Sequence, residues 1–268
     1  MSNYIKKYNT GNIMVDLPHN SYIHELPLLS FSDFRNSVNI SLVFNHKLKQ
    51  DNNNMFNINN GYKLNIQKRI VMDSDNNPNK FIDSNGKQVL LIKNYNTLDQ
   101  STPFNGVYTF DDESKRVLRS ISTGYEIEYE DLSREEYNLN GYITKSFDKY
   151  QDTYLSYFYN RNNYLSTVSY NNKTVYFGYF ANQLNYIEYG NTETTLEYST
   201  NKVTINHYTG VTFESILSDN NYEIKAIGDV TYSKRCLLST YEIRLESKVE
   251  NNIIDSKSPT IITFPKEI

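Results

Sequence analysis

Apolar and polar residues alternate with a period of two along most of the chain, the mark of β-strands with one face turned inward. Between residues 141 and 227 the alternation is broken by turn signals at intervals of roughly ten residues. They fall at 160–163, 171–173, 181–183, 190–192, 200–202 and 209–210. Evenly spaced short strands predict a repetitive antiparallel sheet rather than a mixed domain around a catalytic cleft.

Upstream, the same reading gives strands at 38–44 and 61–70, with Tyr62, Leu64 and Ile66 on one face. Two hairpins follow. One pairs 80–83 with 87–93 around Ser84-Asn85-Gly86, where Asn-Gly between apolar runs is a strong hairpin signal. The other pairs 107–110 with 117–120 around 111–115. Glu126, Glu128 and Glu130 alternate with Tyr125, Ile127 and Tyr129, which predicts a half-solvated strand with an acidic outer face. The Asn-rich stretch 47–60 reads as a long loop, and 131–140, through Ser133-Arg134-Glu135-Glu136, as the helix candidate. Pro18 and Pro27 suit edge or extended segments. Strand character persists at 237–245 and 260–264, and the chain divides best near residue 140, into 1–140 and 141–268.

Along 153–159 one face carries Leu155, Tyr157 and Tyr159, and the other carries Tyr154 and Phe158. Along 175–180, Val175, Phe177 and Tyr179 oppose Tyr176 and Phe180. Rings on both faces mean that neither side is freely washed by water. The sheet is expected to curl over a core and to stack something on its outer side, or to associate with other chains.

Composition sharpens this picture. The 268 residues include 25 Tyr and 13 Phe but no Trp, and flat rings fit a pleated, half-buried surface. With only 10 Gly, Asn takes over the turn positions, because it tolerates the left-handed conformation better than most residues. A net charge of −4 with scattered basic residues argues against a nucleic-acid partner and an anionic membrane surface. No apolar segment follows Lys6-Lys7, and no apolar run approaches the ~18 residues of a membrane span. The expectation is synthesis in the cytoplasm without a signal peptide, and release by lysis or a dedicated injection machine. The single cysteine, Cys236, excludes an internal disulfide and reads as a half-buried strand thiol.

The segment Gly141-Tyr142-Ile143-Thr144-Lys145-Ser146-Phe147-Asp148-Lys149-Tyr150-Gln151-Asp152-Thr153 resembles the linker of a YD (RHS) repeat. Tyr157-Phe158-Tyr159-Asn160-Arg161-Asn162-Asn163-Tyr164-Leu165-Ser166-Thr167-Val168 resembles the repeat itself, with Asn160, Asn163 and Tyr164 in place of the family's Asp, Gly and Arg. Phe177-Gly178-Tyr179 with Gln183, Leu184 and Ile187 looks like a shortened copy, and Phe213, Asp219 and 222–227 like a decayed one. Leu26-Pro27-Leu28-Leu29-Ser30-Phe31, 40–45 and Gly61-Tyr62-Lys63-Leu64-Asn65 resemble the opening segment of RHS proteins, with Tyr62 where a Trp is expected. The resemblance spans residues 12–227 and is densest at 141–170. It implies an all-β fold: a twisted or spiral antiparallel sheet of hairpin repeats. It also implies a secreted, cell-surface or phage-tail setting.

Chemistry is sparse. His19 and His24, five apart beside Pro18 and Glu25, read as ordinary loop histidines rather than a metal pair. His46 comes just before the Asn-rich stretch, and His207, on the side of Val203 and Ile205, reads as partly buried and hydrogen-bonded. Asp73-x-Asp75-x-Asn77 has calcium-loop spacing, but Pro78 and Ser84 replace the Gly and Glu such a loop needs, so it reads as a polar turn. Asp111-Asp112-Glu113 paired with Glu126 or Glu128 would be the acid/base couple of a polysaccharide hydrolase. No nucleophile elbow, P-loop or dinucleotide fingerprint is present.

No catalytic residue, metal or cofactor is therefore expected. The leading expectation is a non-enzymatic structural or attachment component of a phage tail or related particle. Its partners would be other particle subunits, further copies of itself, or a cell-surface glycan. The alternatives are an RHS-type shell or scaffold of a toxin-delivery system, and a polysaccharide hydrolase. Tyr157, Tyr159, Tyr176, Tyr179, Tyr186 and Tyr189 are the candidate ligand-binding residues, because an exposed tyrosine can stack on a sugar and hydrogen-bond it. The competing reading, favoured because most strand aromatics are structural, is that the same rings simply pack the sheet and neighbouring subunits.

Overall fold

The computed structural model describes residues 11–16, 21–32, 37–50, 55–58, 61–94, 106–218, 221–227, 231–238, 242–250 and 260–263. Lys6-Lys7, Pro18, His19, Asp219 and Phe264 lie outside them. In chain order the strands are β1 (Asn12–Asp16), β2 (Ser21–Ser32), β3 (Ser37–Asn45), β4 (Tyr62–Leu64), β5 (Arg69–Met72), β6 (Pro78–Ile82), β7 (Gln88–Lys93), β8 (Val107–Phe110), β9 (Val117–Ile121), β10 (Gly124–Glu128), β11 (Arg134–Asn138) and β12 (Ile143–Phe147). They continue with β13 (Thr153–Tyr159), β14 (Leu165–Tyr170), β15 (Lys173–Phe180), β16 (Gln183–Tyr189), β17 (Thr192–Ser199), β18 (Lys202–Asn206), β19 (Thr212–Ser218), β20 (Asn221–Ile227), β21 (Thr231–Leu238), β22 (Glu242–Glu250) and β23 (Thr260–Thr263). The chain is nearly all β, and the pairing is antiparallel between sequence neighbours, as the alternation predicts.

Each of the expected turns between 160 and 210 is a turn. One form recurs at Asp73, Asp83, Tyr129, Asn138, Asp148, Asn160 and His207. The residue donates its backbone N–H to the carbonyl four residues on, and accepts at its own carbonyl from the N–H three residues on. The fourth residue of each is left-handed: Asn76, Gly86, Leu132, Gly141, Gln151, Asn163 and Gly210. This is a three-residue hairpin loop closed by a bulge. At Asp73, Asp83, Asn138, Asp148 and Asn160 the side-chain oxygen accepts from two further backbone N–H groups, which is why Asp and Asn occupy the position. Gly141 is required twice over. Its φ is +78°, and a Cβ there would stand 2.0 Å from the Ile70 carbonyl oxygen.

The chain divides into two compact units, 64–177 and 1–63 with 178–268; residue 140 lies inside the first of these. In 64–177 the inward positions of successive strands are Ile70, Phe81, Leu118, Ile127, Ile143, Leu155, Val168 and Val175, all buried. In the other unit, β2 and β3 bury Tyr22, Leu26, Leu28, Ile40, Leu42 and Phe44, while β16 to β21 bury Leu184, Leu196, Ile205, Phe213, Tyr222 and Cys236.

Several expectations are corrected. Residues 131–140 are not helical: they form a turn and the strand β11, whose inward residues are Glu135 and Tyr137. The stretch 47–60 is not simply a polar loop. It contains part of a five-residue helix, His46–Gln50, and buries Phe56 and Ile58. The Asn57 carbonyl accepts from the Leu184 N–H at 2.7 Å, so this stretch docks beside β16. Pro27 does lie in an extended segment: it is in β2, past the Ser21–Glu25 stretch that pairs with β1, and the β2–β3 register shifts between Pro27 and Leu29. His24 is on that strand, not in a loop, and is buried. The strand character read at 237–245 is met, with Leu237 and Leu238 ending β21 and Glu242 opening its antiparallel partner β22.

Candidate functional site

Strand parity decides which aromatic rings meet solvent. Leu155 and Val175 face the core, so Tyr157 and Phe177 face it too. Tyr157 is buried, with its hydroxyl 3.3 Å from that of Ser146, and burial pushes its ionisation upward. It presents no ring to a ligand, which removes it from the candidate platform. Tyr159 is half-buried against Tyr142, at 5.2 Å between ring centres. Tyr176 is the exposed member of the set, at 51%.

Tyr179, Tyr186 and Tyr189 belong to the other unit and are half-buried there. Tyr186 lies on Gly178, where any Cβ would collide with its ring. Tyr189 stacks on Phe31 at 5.0 Å. These rings are engaged in packing.

Phe158, outside the tyrosine set, is an outward ring of β13 and is 55% exposed. The signal was present: Leu155 sets the parity of β13, and Phe158 is on the opposite face. The register aligns Phe158 with Thr167 on β14, and Thr167 with Tyr176 on β15. Next to this row runs a second, Ser156, Ser169 and Thr174, in which the Ser169 and Thr174 hydroxyls are 3.1 Å apart. The outer face of β13–β15 is thus a strip of two rings flanked by small hydroxyl side chains.

The outer face of β9–β12 has a different character. The acidic face expected at Glu126 and Glu128 is neutralised by cations from neighbouring strands. Arg119 pairs with Glu128 at 2.5 Å, and Arg134 with Glu126 at 2.8 Å and Glu136 at 3.0 Å. Lys145 approaches Glu136 at 3.8 Å. The Arg134 guanidinium also covers the Phe147 ring at 3.6 Å. Asp112 is held by Arg116 and by the Ser114 N–H. Burial works against its charge, but Ser114 and Arg116 outweigh that and keep the carboxyl below its usual range. Of the acid/base couple considered from sequence, Asp112, Glu126 and Glu128 are tied into ion pairs.

Among the described residues of this unit, Glu135 is the buried carboxylate. It is paired with Lys68 at 2.5 Å, and its other oxygen accepts from the Tyr129 and Tyr137 hydroxyls at 2.6 Å each. Burial opposes its charge, and Lys68 with the two hydroxyls overcomes that, so its carboxyl is held below the usual range. Every oxygen is satisfied, as a structural ion pair requires.

In the other unit, His24 Nδ1 is 2.6 Å from the Tyr222 hydroxyl, and Tyr62 and Ser215 share a 2.5 Å hydrogen bond. His46 stacks on Tyr22 at 5.5 Å. His207 is hydrogen-bonded as expected: Nε2 to the Leu28 carbonyl and Nδ1 to Thr209, both at 2.7 Å. Burial lowers its ionisation more than the Leu28 bond raises it. Cys236 is fully buried rather than half-buried, and burial pushes its thiol up to about 12. Asp73 forms the polar turn described above.

Among the described residues no group of three or more His, Cys, Asp or Glu is placed to hold a metal ion, and no helix is long and apolar enough to cross a membrane. Compared with known proteins, the chain matches no protein-family model and no curated protein.

Proposed function

We propose that this chain is a non-enzymatic structural or attachment component of a phage tail or related particle. In this reading it is a wound sheet of YD/RHS-like hairpins that offers an aromatic β surface to partner subunits or cell-wall glycan. The observation that carries the reading is the contrast on the outer face of 64–177. Glu126, Glu128 and Glu136 are neutralised by Arg119, Arg134 and Lys145, whereas Phe158 and Tyr176 stay open to solvent. The repeat resemblance gains support from Asn160 and Asn163. Asn160 caps the turn as an Asp would, and Asn163 takes the left-handed conformation natural to a Gly.

The test combines sedimentation of the full chain with retention on purified bacterial cell walls. The reading expects self-association beyond one 31.4 kDa chain, retention on walls, or both. Replacing Phe158 and Tyr176 by Ser should weaken whichever is seen. A strict monomer that ignores cell walls would contradict it. So would release of reducing sugar that is lost in Glu126→Gln or Asp112→Asn, which would indicate a hydrolase instead.

A further inference from the structure

We infer that the strip on β13–β15 takes one extended, neutral β-1,4-linked pyranose chain, laid across the strands. This rests on the attachment reading and names its ligand. Phe158 and Tyr176 are aligned through Thr167 and stand two strands apart. Neighbouring strands lie about 4.8 Å apart, so the two rings are spaced by roughly 10 Å. An equatorial 1,4-linkage turns each sugar over relative to the last and gives a flat ribbon that repeats every second ring, at nearly that spacing. Each aromatic ring then meets the apolar C–H face of alternate sugars, with the short Thr167 between them leaving the floor flat.

The hydroxyls of Ser156, Ser169 and Thr174 run parallel to the two rings, where the equatorial hydroxyl edge of the ribbon would lie. Neither row contains a charged side chain. The nearest outward cation on the adjoining strand is Lys145, the register partner of Ser156, and it leans toward Glu136. This selects a neutral chain over an acidic one. An α-1,4-linked chain coils and cannot lie on both rings together.

Isothermal titration of the full chain with cellohexaose and with the chitin hexasaccharide, against maltohexaose, tests the inference. A β-linked hexasaccharide should bind and maltohexaose should not. Phe158→Ala and Tyr176→Ala should each weaken binding about tenfold, the size of a lost contact residue. Phe158→Tyr should retain it. Both side chains are about half exposed, and circular dichroism with melting temperature checks that each variant folds. No binding of either β-linked chain, equal binding of maltohexaose, or binding that survives both alanine substitutions would overturn the inference. If the wild type still self-associates or is held by cell walls in those cases, the broader attachment reading stands. If it does neither, both fall.

Discussion

The Lys68 ammonium lies 2.5 Å from the Glu135 carboxylate although 67 positions separate them in sequence. Glu135 is buried and Lys68 is largely so. Replacing Lys68 by Met leaves the carboxylate with two tyrosine hydroxyls and no counter-charge. Such a loss is expected to cost about 3 kcal/mol, measured as the shift in urea unfolding. A change below about 1 kcal/mol, the range of exposed pairs, would show that solvent screens the pair.

The same pair sets a dependence on pH. The folded Glu135 carboxyl is held below its ordinary value of 4.5, by Lys68 and two hydroxyls acting against burial. In the window between the two values the unfolded chain binds the proton more readily. The stabilisation is therefore complete above the ordinary value and disappears as pH falls through the folded one. Unfolding midpoints of the wild type and Glu135→Gln should differ at neutral pH and converge in acid. A gap that stays constant from neutral pH down to the most acidic pH at which both proteins still fold would contradict this.

The recurrent turn yields a local prediction. Leu132 occupies its left-handed position with φ +69° and is exposed. That conformation costs a non-glycine residue about 1–2 kcal/mol, partly offset in a Gly variant by greater freedom of the unfolded chain. Leu132→Gly should therefore raise the melting temperature. Asn160→Ala removes the acceptor for the Asn162 and Tyr164 N–H groups and should lower stability by about 1 kcal/mol. Opposite signs at these two positions are the expected outcome.

These turns were legible in the sequence because their chemistry is local. An Asp or Asn that satisfies N–H groups two and four residues on, and an Asn or Gly that tolerates positive φ, can be recognised without knowing the fold. The all-β class followed from the same alternation. Contacts across long stretches of sequence were not legible. The dense charge of 131–140 looked helical because nothing local announces that Glu135 has Lys68 and Tyr137 beside it in a sheet interior. His24 looked like a loop residue because its partner, Tyr222, is 198 positions away. For the candidate surface the period-two alternation shows both faces of β13 and β15, but residue type alone favours Tyr157, which lies on the inward face, over Phe158, which lies on the open one.

The most direct measurement places two substituted proteins side by side in one cell-wall retention assay. One carries Phe158→Ser with Tyr176→Ser; the other carries Glu126→Gln with Asp112→Asn. If the outer aromatic strip does the work, the first loses retention and the second keeps it, with no sugar released by either. Retention unchanged in the first and abolished in the second would place the activity in the carboxylates and contradict the account.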